Sequence, residues 1–445
     1  MKRAIHLSFL ASIIVANAMA ADDLASMFSE GKMSGQAREF SISRDYNGAS
    51  DYTRRANAIG GYVKYETGAW NGLSLGAAAY GTIGFALNDR SNLREVDPTL
   101  LSTNNQNDIY LGEAYLQYKN GNTTFKGGRQ KLDTPMAGSD DARMLPNLFE
   151  AYVLTNTDIK DTTIVAGHVT KFAQGTFGRV YDAGLNHANA ILSATAGYSY
   201  IDSRNQTGSF EDMGKYAVGH NTGGVTVAGA IYSGIPGLKL QLWDYYAHDI
   251  LNAIYTEANY GAAITKEVNG YLGAQYIRED NVGADYAGKV KSDFIGAKAG
   301  VKVANFDVFG AVSHNSKDAS SAATNGGTIS PWGGMPAYTQ GMVTRHQFMA
   351  GTDAWKLAGN YDWKNFGVNL NTGIYYASFK LDALNGYSAK ACTTTESGFD
   401  VIYNPQTMKN LQLRLRANYT RDFAQNTSGV GTDWNEYRFI ANYNF

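Results

Sequence analysis

In Leu411-Gln412-Leu413-Arg414-Leu415-Arg416-Ala417-Asn418-Tyr419-Thr420, apolar and polar residues alternate without a break. Leu411, Leu413, Leu415, Ala417 and Tyr419 fall on one face; Gln412, Arg414, Arg416, Asn418 and Thr420 fall on the other. This is the two-residue period of a β-strand lying between an apolar phase and water. Wound as a helix, the same residues would scatter arginines around the axis and leave no coherent apolar stripe. The alternation recurs at 110–118, 271–276 and 366–371, and more weakly from about Gly35 to the C terminus. Counting such runs predicts an all-β chain of about 18 strands.

The linkers between runs come in two sizes. Short ones centre on Asn71-Gly72, Asn120-Gly121, Pro236-Gly237, Ala304-Asn305, Lys364-Asn365 and Lys409-Asn410, where Asn and Gly are expected to supply the positive φ of tight hairpins. Long ones fall at 87–107, 132–148, 174–188, 203–221, 316–344 and 380–395. Short turns at one end and long polar loops at the other are the asymmetry of a closed transmembrane antiparallel β-barrel, with the short turns periplasmic. An even strand number puts both termini on that side.

The N terminus fits this destination. Lys2 and Arg3 precede an apolar run, residues 4–15, which ends before Ala18-Met19-Ala20. The run is too short to span a bilayer and reads as a signal peptide, residues 1–20, leaving 21–445 as the mature barrel. With 30 Tyr and 49 Gly against 7 Pro, the composition suits aromatic-rich strands and short turns. The mean hydropathy of -0.31 looks soluble, yet alternating lipid-facing and lumen-facing residues average to such a value. A net charge of -2 offers no basic excess, so nucleic acid is not an expected partner. Cys392 is the single cysteine, and the fold must rest on backbone pairing rather than disulfides. In the last ten residues Tyr437, Phe439, Ala441, Tyr443 and the terminal Phe445 share a face. Such a closing strand is similar to the signature by which barrels are taken up for outer-membrane assembly.

Three segments resemble the OprD-like family of outer-membrane porins. Gly128-Arg129-Gln130, Pro135 and Asp140-Asp141-Ala142-Arg143-Met144-Leu145-Pro146-Asn147-Leu148-Phe149-Glu150 resemble the family's strand and inward-folded third loop. Ala37-Arg38-Glu39-Phe40 with Arg44-Asp45-Tyr46 resembles its first strand, and 411–422 with 434–445 its last two. The resemblance implies a narrow 18-stranded channel, often selective for carboxylate-bearing nutrients such as amino acids or organic acids, with a row of lumenal arginines. It also implies a pore-side place for Arg129, which alternation alone would put with Phe125 and Lys131. Arg38, Phe40, Ile42 and Arg44 share one parity and so mix charge with apolar residues. A bulge would restore the alternation.

A pore performs no reaction; its wall and constriction decide what passes. Arg414, Arg416 and Arg438 fall on the polar face of their strands and should line the lumen. Arg414 and Arg416 should stand about 7 Å apart along the wall, offering successive sites to an anion. The loop at 132–150 is the expected constriction, with Asp140, Asp141 and Arg143 pairing with wall arginines and setting a field across the opening. No full set of calcium ligands is recognisable at Asp140-Asp141, and no metal or cofactor is expected. The expected partners are outer-membrane lipid and small anionic or zwitterionic solutes, with the protein a monomer or homotrimer. A nonspecific sieve is the alternative within the same class. Among other classes, a barrel enzyme would need a clustered nucleophile, base and orienting group. No G-x-S-x-G occurs, and His168, His220, His248, His314 and His346 are scattered in sequence, so no enzyme activity is expected. An energy-driven receptor would need a large plug ahead of the barrel, whereas adhesion by the long loops is compatible with a pore.

Overall fold

The computed structural model describes residues 21–445 except 49–50, 88–91, 93–94, 103–104, 177–206, 322–323, 384, 386–389 and 426–430. The proposed leader, 1–20, lies outside the described residues, as do 177–188 of the linker expected at 174–188 and 203–206 of the one expected at 203–221. A 19-stranded sheet contains one two-residue strand, Glu211–Asp212, at its rim; the other eighteen form the wall, as the alternation predicts. Each wall strand pairs antiparallel with its predecessor, and Lys32–Asn47 pairs with both Tyr52–Glu66 and Gly431–Asn444. That last pairing closes the sheet and leaves the wall without a free edge to aggregate.

The outer face carries the apolar half of the alternation. Leu240, Leu242, Leu272, Ile295, Val312, Leu357, Ile374 and Leu415 are all exposed, which in a membrane wall means exposed to lipid. Tyr118, Tyr260, Phe306, Tyr403 and Tyr443 add exposed aromatic rings near the short turns, at the level where such rings meet lipid headgroups. At these turns the positive φ belongs to Asn71 and Gly72, to Gly121 and Gly237, and to Ala304 rather than Asn305. The run at 366–371 is a correction. Trp363–Phe366 is a 3-10 helix capped by Asp362, Gly367 leaves it at φ 74, and the strand begins only at Leu370. At the opposite end not every connection is long: four residues separate Lys32–Asn47 from Tyr52–Glu66, and three separate Leu238–Ala247 from Leu251–Ala263.

Long loops fold into the barrel, and two of them touch each other. One, 131–147, overlaps the stretch 132–150 read as a constriction; the other, 316–352, contains the linker 316–344, which the sequence marked only as long. They meet through Met335 N–H donating to the Pro135 carbonyl at 2.7 Å and Gly334 N–H donating to Asp140 Oδ1 at 3.2 Å. These loops explain the first strand. Its register runs unbroken against both neighbours, so no bulge intervenes. Phe40 and Ile42 face inward and share one buried apolar cluster with Leu100 and Leu101 of the 85–107 loop and with Met144 and Leu145 of the 131–147 loop. An apolar residue is favourable on the lumenal face where a loop rather than water covers it.

Candidate functional site

The polar half of the alternation places Arg414, Arg416 and Arg438 on the inward face, at one stretch of wall. Arg416 lies directly opposite Arg438 in the strand register and opposite Asp400 on its other side. The arginines do not stand free. Arg414 Nε donates to Asp400 Oδ1 at 2.8 Å and its Nη2 to Oδ2, while Arg416 Nε lies 3.3 Å from the same Oδ2. The pair therefore presents about one net charge to the lumen rather than two. Arg438 Nε lies 2.9 Å from Glu436 Oε1, and its Nη2 donates to Asn418 Oδ1 at 2.9 Å. Asp400→Asn is expected to release both Arg414 and Arg416 and to raise anion over cation permeability about fivefold. That ratio corresponds to ~1 kcal/mol, the interaction of unit charges at 4 Å in bulk water. Reversal potentials at low salt check it, and an unchanged ratio would show that these side chains do not see the permeating ion.

Loop 131–147 is fastened to this wall by its charged residues. Asp141 Oδ1 accepts from Arg38 Nη1 at 2.7 Å, and Asp141 also lies 3.7 Å from Lys131 Nζ. Burial pushes the Asp141 carboxyl up, but Arg38 and Lys131 together outweigh it and hold the group below the usual carboxylate range. For Asp140 burial wins over Arg345, and the carboxyl is raised. Arg143 Nη2 donates to Glu436 Oε1 at 3.0 Å, and Arg44 Nη2 lies 2.7 Å from Glu436 Oε2 and Arg44 Nη1 3.1 Å from Asp97 of the 85–107 loop. Arg44, Arg143, Arg438 and Glu436 are fully buried. Asp140, Asp141 and Arg143 thus act first as fasteners of the loop.

Arg129 is a correction. Lys126 and Gln117 share a register row on the cavity side, whereas Arg129 pairs with Ala114 and Glu150 in a row of the opposite parity. It stands on the outward face beside Glu150 and Lys171, as its alternation with Phe125 indicated. Two scattered histidines also meet there: Thr226 Oγ1 lies 3.1 Å from His168 Nδ1 and 3.0 Å from His248 Nε2.

Sequence reasoning missed three lumenal lysines. Lys126 Nζ stands 3.7 Å from the ring centre of Tyr115, and Lys298 Nζ 4.0 Å from that of Tyr338. Lys356 Nζ donates to the Gln340 carbonyl at 2.7 Å and lies 4.9 Å from the Tyr375 ring. Among the described residues none of the three has a carboxylate within ion-pair distance. Their inward parity was available, but nothing in the sequence told which cations would be neutralised. Lys126, Lys64, Arg38, Glu113 and Tyr80 line a lumenal cavity of about 400 Å³ under the constriction loop.

The profile of the outer membrane porin, OprD family, matches residues 26–445. No curated protein matches the chain. Among solved structures, Pseudomonas aeruginosa OccK9 (OpdG) is similar at 19% identity and a TM-score of 0.74, covering 94% of this chain and 99% of that one. A BenF-like porin from Pseudomonas fluorescens Pf-5 is similar at 16% identity and a TM-score of 0.75, with the same coverage of 94% and 99%. P. aeruginosa OccK2 (OpdF), solved in complex with glucuronate, is similar at 16% identity and a TM-score of 0.71, again covering 94% and 99%. Those identities show the shared fold, and the profile, spanning nearly the whole chain, shows more: the protein belongs to the OprD family of outer membrane porins.

Proposed function

We propose that this porin passes small carboxylate-bearing solutes. The observation that carries the reading is the contrast between the lumenal cations. The arginines Arg38, Arg414, Arg416 and Arg438 are spent on Asp141, Asp400 and Glu436, whereas Lys126, Lys298 and Lys356 rest on tyrosine rings or a backbone carbonyl. A lysine over an aromatic face gives up only a weak interaction, about 0.5–1 kcal/mol at exposed sites, when an anion arrives. Such sites attract a carboxylate yet hold it weakly enough to let it leave, which conduction requires. The solved complexes of OccK2 with glucuronate and of P. aeruginosa OpdK with vanillate, both carboxylates, support this reading. Arg414, Arg416 and Arg438 contribute the background field of their net-positive clusters.

Replacing Lys126, Lys298 and Lys356 together by glutamine is expected to slow dicarboxylate entry roughly threefold to thirtyfold, which corresponds to about 0.6–2 kcal/mol of lost attraction. Entry of a neutral sugar of similar size should be unchanged. Swelling of liposomes holding the refolded variant measures both rates. Equal slowing of both solutes, or of neither, would make the pore a nonspecific sieve.

A further inference from the structure

The outward face of the wall carries a charged patch that conduction does not use. Arg129 is the penultimate residue of Thr123–Gln130, Glu150 the third of Leu148–Asn156, and Lys171 the third from the end of Thr162–Ala173. The register joins them in one row across three adjacent strands, at the end of the wall that bears the long loops. Lys171 Nζ lies 3.2 Å from Glu150 Oε1, and Arg129 Nε lies 4.0 Å from Glu150 Oε2. Thr170 Oγ1 also donates to Glu150 Oε1 at 3.1 Å. Two cations therefore share one carboxylate that is already occupied, and both remain about two-fifths exposed, at 39% and 43%. The Arg129 guanidinium is seated 4.3 Å from the Phe210 ring centre, which fixes its plane and leaves N–H groups to spare.

The height of the patch identifies what it meets. Glu150 lies within two residues of the long-loop end of Leu148–Asn156, so the patch stands near the rim of the wall. The next outward residue is the exposed Tyr152, whose row continues through His168, Thr226 and Tyr246. That row of tyrosines and hydrogen-bonded polar groups is suited to a membrane–water boundary and not to acyl chains. In a porin of the outer membrane, the long-loop end looks outward, and the layer just beyond that boundary holds the phosphates of the outer-leaflet glycolipid. We propose that Arg129 and Lys171 bind a phosphate of this glycolipid on the outer wall. Neighbouring strands lie about 4.8 Å apart, so the two cations stem from backbones about 10 Å apart with room for one phosphate above Glu150. Arg129 supplies a planar fork and Lys171 a point charge.

The test is native mass spectrometry of the folded, detergent-purified barrel with EDTA present, so that no divalent cation bridges phosphate to carboxylate. Wild type is expected to retain bisphosphorylated lipid A about tenfold over its dephosphorylated form, and Arg129→Gln/Lys171→Gln to lose that preference. Folding is verified by heat-dependent electrophoretic migration; if the double variant fails to fold, Lys171→Gln alone, at an exposed position, is expected to lose most of the preference. A preference that survives in the variant, or none in wild type, would overturn the assignment. Release of lipid A by millimolar inorganic phosphate would also overturn it, in favour of a site for free anions. The outcome is independent of what the pore conducts.

Discussion

Glu436→Gln is expected to cost the folded barrel ~3–5 kcal/mol, the range for removing one partner from a buried ion pair. Glu436 is the common acceptor of Arg44, Arg143 and Arg438, at 2.7, 3.0 and 2.9 Å, with every side chain fully buried. Asp97 is within reach of Arg44 alone among the three, at 3.1 Å. With a neutral amide at 436, three guanidinium groups crowd a site holding one carboxylate. The loop end at Arg143 is the part free to move away. The urea midpoint of the refolded barrel should fall accordingly, and trypsin, excluded from the buried Arg143 in wild type, should cut there in the variant. An unchanged midpoint with Arg143 still protected would mean that the loop is held by its apolar residues, Met144 and Leu145, and that the charges are incidental. The buried network also explains why the wall spends so many arginines on structure: a loop crossing a lumen has to satisfy its own polar groups.

The wall was legible because its signal is local. Alternation in 411–420 or 110–118 needs no knowledge of partners, and the tight turn at Asn71-Gly72 follows from positive φ at 49 and 83. Interior placement was less legible, because it depends on what the loops do. Phe40 and Ile42 break the alternation for a reason lodged a hundred residues away, in Met144 and Leu145. Parity puts Arg414 and Arg416 on the polar face of their strand, but their neutralisation by Asp400 rests on a cross-strand register that no single strand reveals. Arg129 shows the opposite case. Its parity with Phe125 was a sound physical reading, and the motif that moved it to the pore was the weaker guide. Loop 316–352 gave no inward signal because many of its anchors are backbone groups, which are the same in any sequence, and the rest, such as Thr328 and Thr339, are small hydroxyls with no periodicity.

Those anchors make the second large effect predictable. Glu396, on the inward face of Cys392–Tyr403, accepts three consecutive backbone N–H groups. Met342 donates to Oε1 at 2.6 Å, Val343 to the same atom at 3.2 Å, and Thr344 to Oε2 at 2.7 Å, with the Tyr375 hydroxyl closing on Oε1. Hydrogen bonds to a charged group contribute about 1.5–3 kcal/mol each. Glutamine at 396 keeps one acceptor oxygen and loses the charge, so the loss at this anchor is put at roughly 3 kcal/mol. That raises the population of the detached loop about a hundredfold. On one side of this anchor Tyr338 N–H donates to Gln275 Oε1 at 3.1 Å and the Thr339 hydroxyl meets that of Ser313 at 2.7 Å; on the other, Arg345 lies 3.5 Å from Asp140 and Asn315 N–H donates to the Thr352 carbonyl at 3.0 Å, so the stretch at about 341–344 is what swings. Glu396→Gln should therefore show larger current steps and new transient levels in planar bilayers, with the wall itself intact. Gly341→Ala reaches the same contact from the loop side, since a Cβ there would stand 2.6 Å from Glu396 Oε2 and force the carboxylate off its N–H groups. Agreement between the two variants would assign the effect to the latch, whereas wild-type current steps and noise in both would show that loop 316–352 holds its place without Glu396.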